Sequence, residues 1–150
     1  MPTIIAPPDL SARPFNVTTK RDMLASPAAL YLAWTEKFDR WFAIPGTVLM
    51  NPEPNSPFFF QTQHEGQRYP HYGRFLLLDP NRLIELTWLT IATHGAETVV
   101  TVKLTALNTG THLHLTHAGF SDEPSRLRHD QAWPVVLAHL DKCIALPAVD

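Results

Sequence analysis

Cysteine is nearly absent from this sequence. Among its 150 residues there is one cysteine, Cys143. A single thiol cannot form a disulfide within the chain, nor can it supply a cysteine-based zinc cluster. We therefore expect a fold stabilised by its apolar core, and a chain of this length can bury a sufficient core without covalent cross-links.

Long apolar segments and an excess of one charge are also missing. No stretch approaches the roughly 20 apolar residues of a membrane-spanning helix. Residues 1–10 hold three prolines and lack the basic and apolar regions of a signal peptide. The net charge is −2 and the basic residues are scattered, so there is no cationic stripe for nucleic acid. We expect a cytoplasmic protein that neither enters a membrane nor binds nucleic acid.

Alternating apolar and polar residues dominate the middle of the chain. This pattern predicts strands at residues 13–21, 58–63, 67–78, 82–91, 97–107 and 111–118, with a shorter candidate at 47–50. Short turns containing Gly, Asn or Asp join the later strands, which favours an antiparallel meander. Ser26-Pro27 is typical of a helix start and predicts a helix over 27–35, followed by a second short helix over 37–42.

A long amphipathic helix is predicted at residues 122–146. Its apolar side chains recur at helical spacing, at Trp133, Val136, Leu137, Leu140 and Ile144. Pro134 cannot donate the hydrogen bond that a helix interior requires, so the helix either begins near Trp133 or is kinked there. We favour a kink or break, because Leu127 is in phase with the later part of the apolar stripe.

A sheet that must cover one long helix is an α+β arrangement. We expect a flexible N-terminal tail over residues 1–12, one domain over 13–146 and a short C-terminal tail over 147–150.

Several short motifs occur in a distinctive order. They are Ser26-Pro27, Trp41-Phe42, Asp79-Pro80 leading to Leu86-Thr87-Trp88, and the segment from Gly110 to Phe120. In this order they resemble the START/SRPBCC superfamily, in its branch of activator of heat-shock-protein-90 ATPase homologues (AHSA-type). The resemblance extends from about residue 13 to residue 145, nearly the whole chain.

The resemblance implies a helix-grip fold, similar to that of the birch pollen allergen. In this fold a curved antiparallel sheet wraps around a long C-terminal helix, two short helices follow the first strand, and a cavity lies between sheet and helix. The chain departs from the family pattern at Asn55-Ser56, where relatives often have paired glycines, and at Pro134, directly after the helix tryptophan.

An aromatic cavity is typical of proteins that bind apolar or amphipathic small molecules. The alternative is that the same side chains only fill the core. The residues that we predict to line the cavity are Trp41, Phe42, Phe58, Phe60, Tyr72, Phe75, Trp88, His117, Trp133, Leu137 and Leu140. No cofactor and no metal is expected.

Histidines and charged residues give weaker signals. His112 and His114 share one face of a strand at a separation that could hold a metal, but no third ligand is near in sequence, so a surface pair is favoured. His117 and His71 are predicted at the cavity mouth. The charged residues nearest to inward-facing strand positions are Arg74, Glu85 and Glu65.

Three functional hypotheses follow. The first is non-catalytic binding of an apolar or amphipathic small molecule. The second is a co-chaperone-like protein that stimulates a chaperone ATPase through its surface. The third is an enzyme of the cyclase or hydrolase type that uses His117 with Glu85 or Tyr72 as acid and base. A homodimer through an exposed sheet edge is also compatible with the pattern.

Overall fold

One antiparallel sheet and one long helix make up most of the fold. The computed structural model describes residues 6–145. The sheet has six strands in the order β1-β6-β5-β4-β3-β2. The strands are β1 (Phe15–Met23), β2 (Pro57–His64), β3 (Gln67–Asp79), β4 (Leu83–Trp88), β5 (Thr98–Ala106) and β6 (Thr111–Phe120).

The helices are α1 (Pro27–Thr35) and α2 (Glu123–Ala145), and two single 3₁₀ turns lie at Phe38–Arg40 and Ile91–Thr93. Both α2 and α1 pack on one face of the sheet. The predicted α+β class is therefore confirmed, as is the curved sheet wrapped around a C-terminal helix. The second predicted helix, 37–42, is reduced to the first 3₁₀ turn.

Local signals explain why α1 forms where it was predicted. The Ser26 side chain accepts a hydrogen bond from the Ala29 N–H at 3.1 Å, and Pro27 occupies the first turn. Both features are typical of a helix N-terminus. After the helix, the Trp41 indole N–H donates to the Ala33 carbonyl at 2.9 Å, which fixes the first 3₁₀ turn against α1.

The helix α2 differs from the prediction in two ways. It begins at Glu123 and continues to Ala145 with Pro134 inside it, so the expected break is wrong. Both Pro134 and Asp130 are exposed, and water can therefore bond to the Asp130 carbonyl in place of the missing N–H. Leu127 is also exposed. It lies six residues before Trp133, and this separation turns it about 120° around the helix from that buried residue.

Two strand predictions also need correction. The candidate at 47–50 forms only an isolated bridge between Leu49 and Phe59. The strand predicted over 82–91 ends at Trp88. After it, Thr90 caps the second 3₁₀ turn by accepting from the Ala92 N–H, and Thr93 completes the cap by accepting from the Thr90 N–H.

Part of the predicted N-terminal tail can be compared with the structure, whereas the predicted C-terminal tail cannot. Residues 1–5 and 147–150 lie outside the described residues. Residues 6–12 contain no helix or strand, yet the Ala6 carbonyl accepts a hydrogen bond from Arg74 Nη2 at 2.6 Å. No helix in the described residues is long and apolar enough to span a bilayer.

The core lies between the sheet and the two helices. At Gly73 on β3 the neighbouring strands leave no room for a side chain, because a Cβ atom there would overlap the Phe58 ring on β2 and the Thr87 carbonyl oxygen on β4. Aromatic residues fill most of this space, including Trp34, Phe38, Trp41, Phe60, Trp88 and Trp133.

Candidate functional site

A small pocket remains open beside this aromatic core. It has a volume of about 180 Å³ and lies between β3, the end of β4, the second 3₁₀ turn and α2. Its lining is almost entirely apolar, with Ile91 and Ala132 exposed at the rim. The lining residues are Phe42, Tyr69, His71, Trp88, Thr90, Ile91, Ala92, His129, Ala132, Trp133 and Val136.

Simple periodicities place these side chains together. Tyr69 and His71 are two residues apart on β3 and therefore share a face. On α2, residues 129, 132, 133 and 136 follow the i, i+3, i+4, i+7 spacing of one helix face. The turn between β4 and β5 supplies Thr90, Ile91 and Ala92 as the third side.

Aromatic packing closes the pocket on its inner side. The ring centroids of Trp88 and Trp133 lie 5.7 Å apart, and those of Phe42 and Trp88 lie 5.8 Å apart. His71 stacks on Phe60 with a centroid distance of 4.8 Å. The family resemblance implies a cavity between sheet and helix; in the structure aromatic side chains fill most of the core, and the pocket lies beside them.

His117 lies under the pocket in a chain of hydrogen bonds. The Trp133 indole N–H donates to His117 Nδ1 at 3.1 Å, and His117 Nε2 lies 2.7 Å from Thr98 Oγ1. The Thr98 hydroxyl in turn donates to the Trp88 carbonyl. Because Nδ1 accepts, the proton of the neutral ring is on Nε2, and every member of the chain has a partner.

Burial explains why this ring stays neutral. His117 is completely buried, which holds its pKa well below the ordinary value of 6.5, and the nearby His129 lowers it further. The predicted position of His117 at the cavity mouth is therefore wrong. Its role in the structure is to connect α2 to β5 and β6 inside the core.

His71 and His129 do reach the pocket. The Nδ1 atom of His71 lies 3.0 Å from the Tyr69 carbonyl oxygen, and that of His129 lies 2.7 Å from the Ser125 carbonyl oxygen. A carbonyl only accepts, so each Nδ1 carries a hydrogen. Burial lowers the pKa of His71 to about 4, with a smaller contribution from His129. Burial also lowers the pKa of His129, assisted by Arg128.

The predicted cavity residues fall into three groups. Phe42, Trp88 and Trp133 line the pocket. Tyr72 is 49% exposed on the opposite face of β3, beside Phe59, because it alternates with His71; its predicted inward direction is wrong. The rest are buried in the core without lining the pocket: Trp41, Phe58, Phe60, Phe75, His117, Leu137 and Leu140.

Sequence reasoning missed much of the pocket wall. His129, Ala132 and Val136 could have been found by extending the helical spacing from Trp133 in both directions. The turn residues Thr90, Ile91 and Ala92 carried no comparable signal, because they continue the apolar pattern of β4.

The acid–base grouping of the enzyme hypothesis does not form. Glu85 points to the outer face of the sheet, where its carboxylate accepts from the Thr101 hydroxyl at 3.1 Å. Tyr72 is exposed, while His117 is buried with both nitrogens bonded. These three side chains do not converge on one space.

The other charged candidates also lie away from the pocket. Arg74 pairs with Glu97 at 3.0 Å, and Glu65 is exposed in the turn after β2. His112 Nδ1 lies 2.7 Å from an Asp22 carboxylate oxygen on the neighbouring strand. Within residues 6–145 no group of three histidine, cysteine or acidic side chains is placed to hold a metal ion.

Thr98→Val tests the buried hydrogen-bond chain. Valine keeps the shape but leaves the His117 Nε2–H without an acceptor in the core, which costs about 1–3 kcal/mol. We expect the free energy of unfolding in urea to fall by that amount. Thr101→Val on the outer face of the same strand is the matched control and should change it by less than about 0.5 kcal/mol. Equal losses in both variants would contradict this role of Thr98.

The buried histidines also predict a pH dependence. In the unfolded chain His71 gains a proton below pH 6.5, whereas in the folded chain it stays neutral down to about pH 4. The free energy of unfolding should therefore decrease as the pH falls from 6.5 to 4, by on the order of 3 kcal/mol from His71. Denaturant titrations of the wild type and His71→Phe across this range should show a smaller decrease in the variant.

His64→Phe supplies the control for that comparison, because His64 is largely exposed. If the two histidine variants follow the same pH curve, burial of His71 is not a source of the acid sensitivity.

Comparisons with known proteins place the chain in a family. No curated protein sequence matches it. Its fold is similar to the crystal structure of a Chromobacterium violaceum protein, with a TM-score of 0.76 and 21% identity over 89% of this chain and 100% of the other. It is also similar to a Rhodobacter sphaeroides protein, with a TM-score of 0.70 and 23% identity over 90% and 94% of the two chains.

A third similar structure is the Aha1 dimer of Colwellia psychrerythraea, with a TM-score of 0.64 and 17% identity over 87% of this chain and 96% of the other. The sequence model of the family described as Activator of Hsp90 ATPase homolog 1-like protein matches residues 24–145. These residues include α1, the strands β2 to β6, α2 and the whole lining of the pocket, and the chain belongs to this family.

Proposed function

We propose that this protein binds a compact, mainly apolar small molecule in the pocket between β3, β4 and α2, without converting it chemically. The observation that carries this proposal is the pocket itself. In a core filled by aromatic side chains, one space of about 180 Å³ with an apolar lining stays open beside an exposed rim. Pockets of this kind, with a few polar groups among aromatic walls, are typical of small-molecule sites.

The volume of the pocket limits the size of the ligand. An apolar cavity of about 150 Å³ accommodates benzene. A space of about 180 Å³ therefore suits one ring with a small substituent. A fatty acid or a sterol is too large to be enclosed in it, so within the broad class of apolar ligands we favour single-ring molecules.

The expected affinity is modest. Burying one ring removes about 150–200 Å² of apolar surface from water. At about 25 cal/mol per Å² this gives at most 4–5 kcal/mol, which corresponds to a dissociation constant near a millimolar. Binding experiments therefore need methods that tolerate weak ligands, such as ligand-detected NMR.

The contacts of the polar groups favour binding over catalysis. The pocket wall contains imidazole and hydroxyl groups but no carboxylate among the described residues. His71 and His129 each bond through Nδ1 to a backbone carbonyl and not to an acidic partner that would strengthen a general base.

A co-chaperone role is the second candidate, and the family description supports it. It would require contacts on the outer surface of the protein. The test is the ATPase rate of an Hsp90-type chaperone with and without the purified chain. If the stimulation persists when the pocket is blocked, the function depends on surface contacts and not on the pocket.

Ala132→Phe blocks the pocket for this purpose. Ala132 is exposed at the rim, so a phenyl group can enter the pocket without disturbing the buried side of α2. We expect saturation-transfer NMR at millimolar concentration to show toluene or p-cresol bound to the wild type, and at least a five-fold weaker signal with Ala132→Phe.

Val135→Phe is the matched control, because Val135 is 70% exposed on the solvent side of the same helix turn. It should bind like the wild type. Failure of toluene and p-cresol alike to bind the wild type, or equal losses in both variants, would remove the pocket as a binding site.

A further inference from the structure

The two pocket histidines present the same kind of atom to the ligand. Each ring uses its Nδ1–H to donate to a backbone carbonyl on its own element. In the neutral ring the other nitrogen, Nε2, then carries a lone pair and no hydrogen. Within residues 6–145 neither Nε2 has a hydrogen-bond partner in the protein.

These nitrogens are not sealed in the core. Among the described residues, the one fully buried polar side-chain atom without a partner is the Trp34 indole nitrogen. The Nε2 atoms of His71 and His129 therefore keep accessible surface, and both residues line the pocket. Two residues of the pocket wall therefore each carry a hydrogen-bond acceptor that the fold leaves unused.

The remaining polar groups are neutral. Tyr69 and Thr90 contribute hydroxyl groups, which can donate or accept. No acidic side chain, lysine or arginine lines the pocket in the described part of the chain. An ionic ligand group would lose its hydration there without gaining a counter-ion.

From this geometry we infer that the ligand is a neutral single-ring molecule with a hydroxyl or N–H donor, bonded to Nε2 of His71 or His129. The inference rests on the proposed function and names its ligand class. Aliphatic or aromatic rings without a donor fit the walls but leave both acceptors unpaired. Carboxylates are excluded because they have only acceptors and a charge.

The experiment compares p-cresol with 4-fluorotoluene, which has nearly the same size but no donor, and with 4-methylbenzoate, which is anionic. All are titrated against the full-length protein at pH 8, where both histidines are neutral. Apolar burial alone favours 4-fluorotoluene, because a hydroxyl group without a partner is costly to remove from water. We expect the reverse order, with p-cresol binding about five-fold more tightly and 4-methylbenzoate not competing.

The variants His71→Phe and His129→Phe identify the acceptor. Phenylalanine keeps a ring in place and removes the acceptor. In at least one of the two variants, the affinity for p-cresol should therefore fall while the affinity for 4-fluorotoluene stays the same. Where His71→Phe loses the preference for p-cresol, His71→Gln, which restores an acceptor at nearly the same position, should recover part of it. Because two ligands are compared on the same protein, a general loss of folding cannot produce a change in their relative affinities.

Tighter or equal binding of 4-fluorotoluene in the wild type would overturn the inference and leave the proposed function standing. The inference also fails if the preference for p-cresol survives in both phenylalanine variants. Absence of binding by every probe would instead contradict the proposed function.

Discussion

A buried imidazole must satisfy both of its nitrogens at once, and His117 does so in a way that fixes the rest of the fold. One nitrogen receives the Trp133 N–H from α2, and the other bonds to Thr98 on β5. Through Thr98 the chain of bonds continues to the backbone of Trp88 at the end of β4. The helix, two neighbouring strands and the strand that carries His117 are therefore held in one relative position.

That position determines where the pocket can exist. Trp88 and Trp133 are both members of the buried chain and both form the pocket wall. The Trp133 ring cannot move inward to fill the space, because its N–H is held by His117. The bond from Thr98 to the Trp88 carbonyl fixes the backbone from which the Trp88 ring projects. The pocket is therefore a consequence of polar contacts in the core as much as of its aromatic packing.

The sequence predicted the helices and strands better than it predicted which way their side chains point. Helix α1 was predicted with its observed bounds, because Ser26 and Pro27 act locally through the cap. Phe42, Trp88 and Trp133 were predicted to line a cavity from their inward-facing positions together with the family resemblance, and they border the pocket in the structure. Tyr72 was not oriented correctly, since a shift of one residue along a strand reverses its face. Which buried aromatics border a space and which fill it depends on how sheet and helix meet, and no local pattern contains that information.

Pro134 lies in the same helical turn as the pocket wall. Because proline has no N–H, the bond from residue 134 to the Asp130 carbonyl is missing from an otherwise continuous helix. His129, Ala132, Trp133 and Val136 lie on both sides of that missing bond. The backbone of α2 is therefore held by one hydrogen bond fewer at this turn, so the pocket borders the part of the helix where the backbone bonding is interrupted.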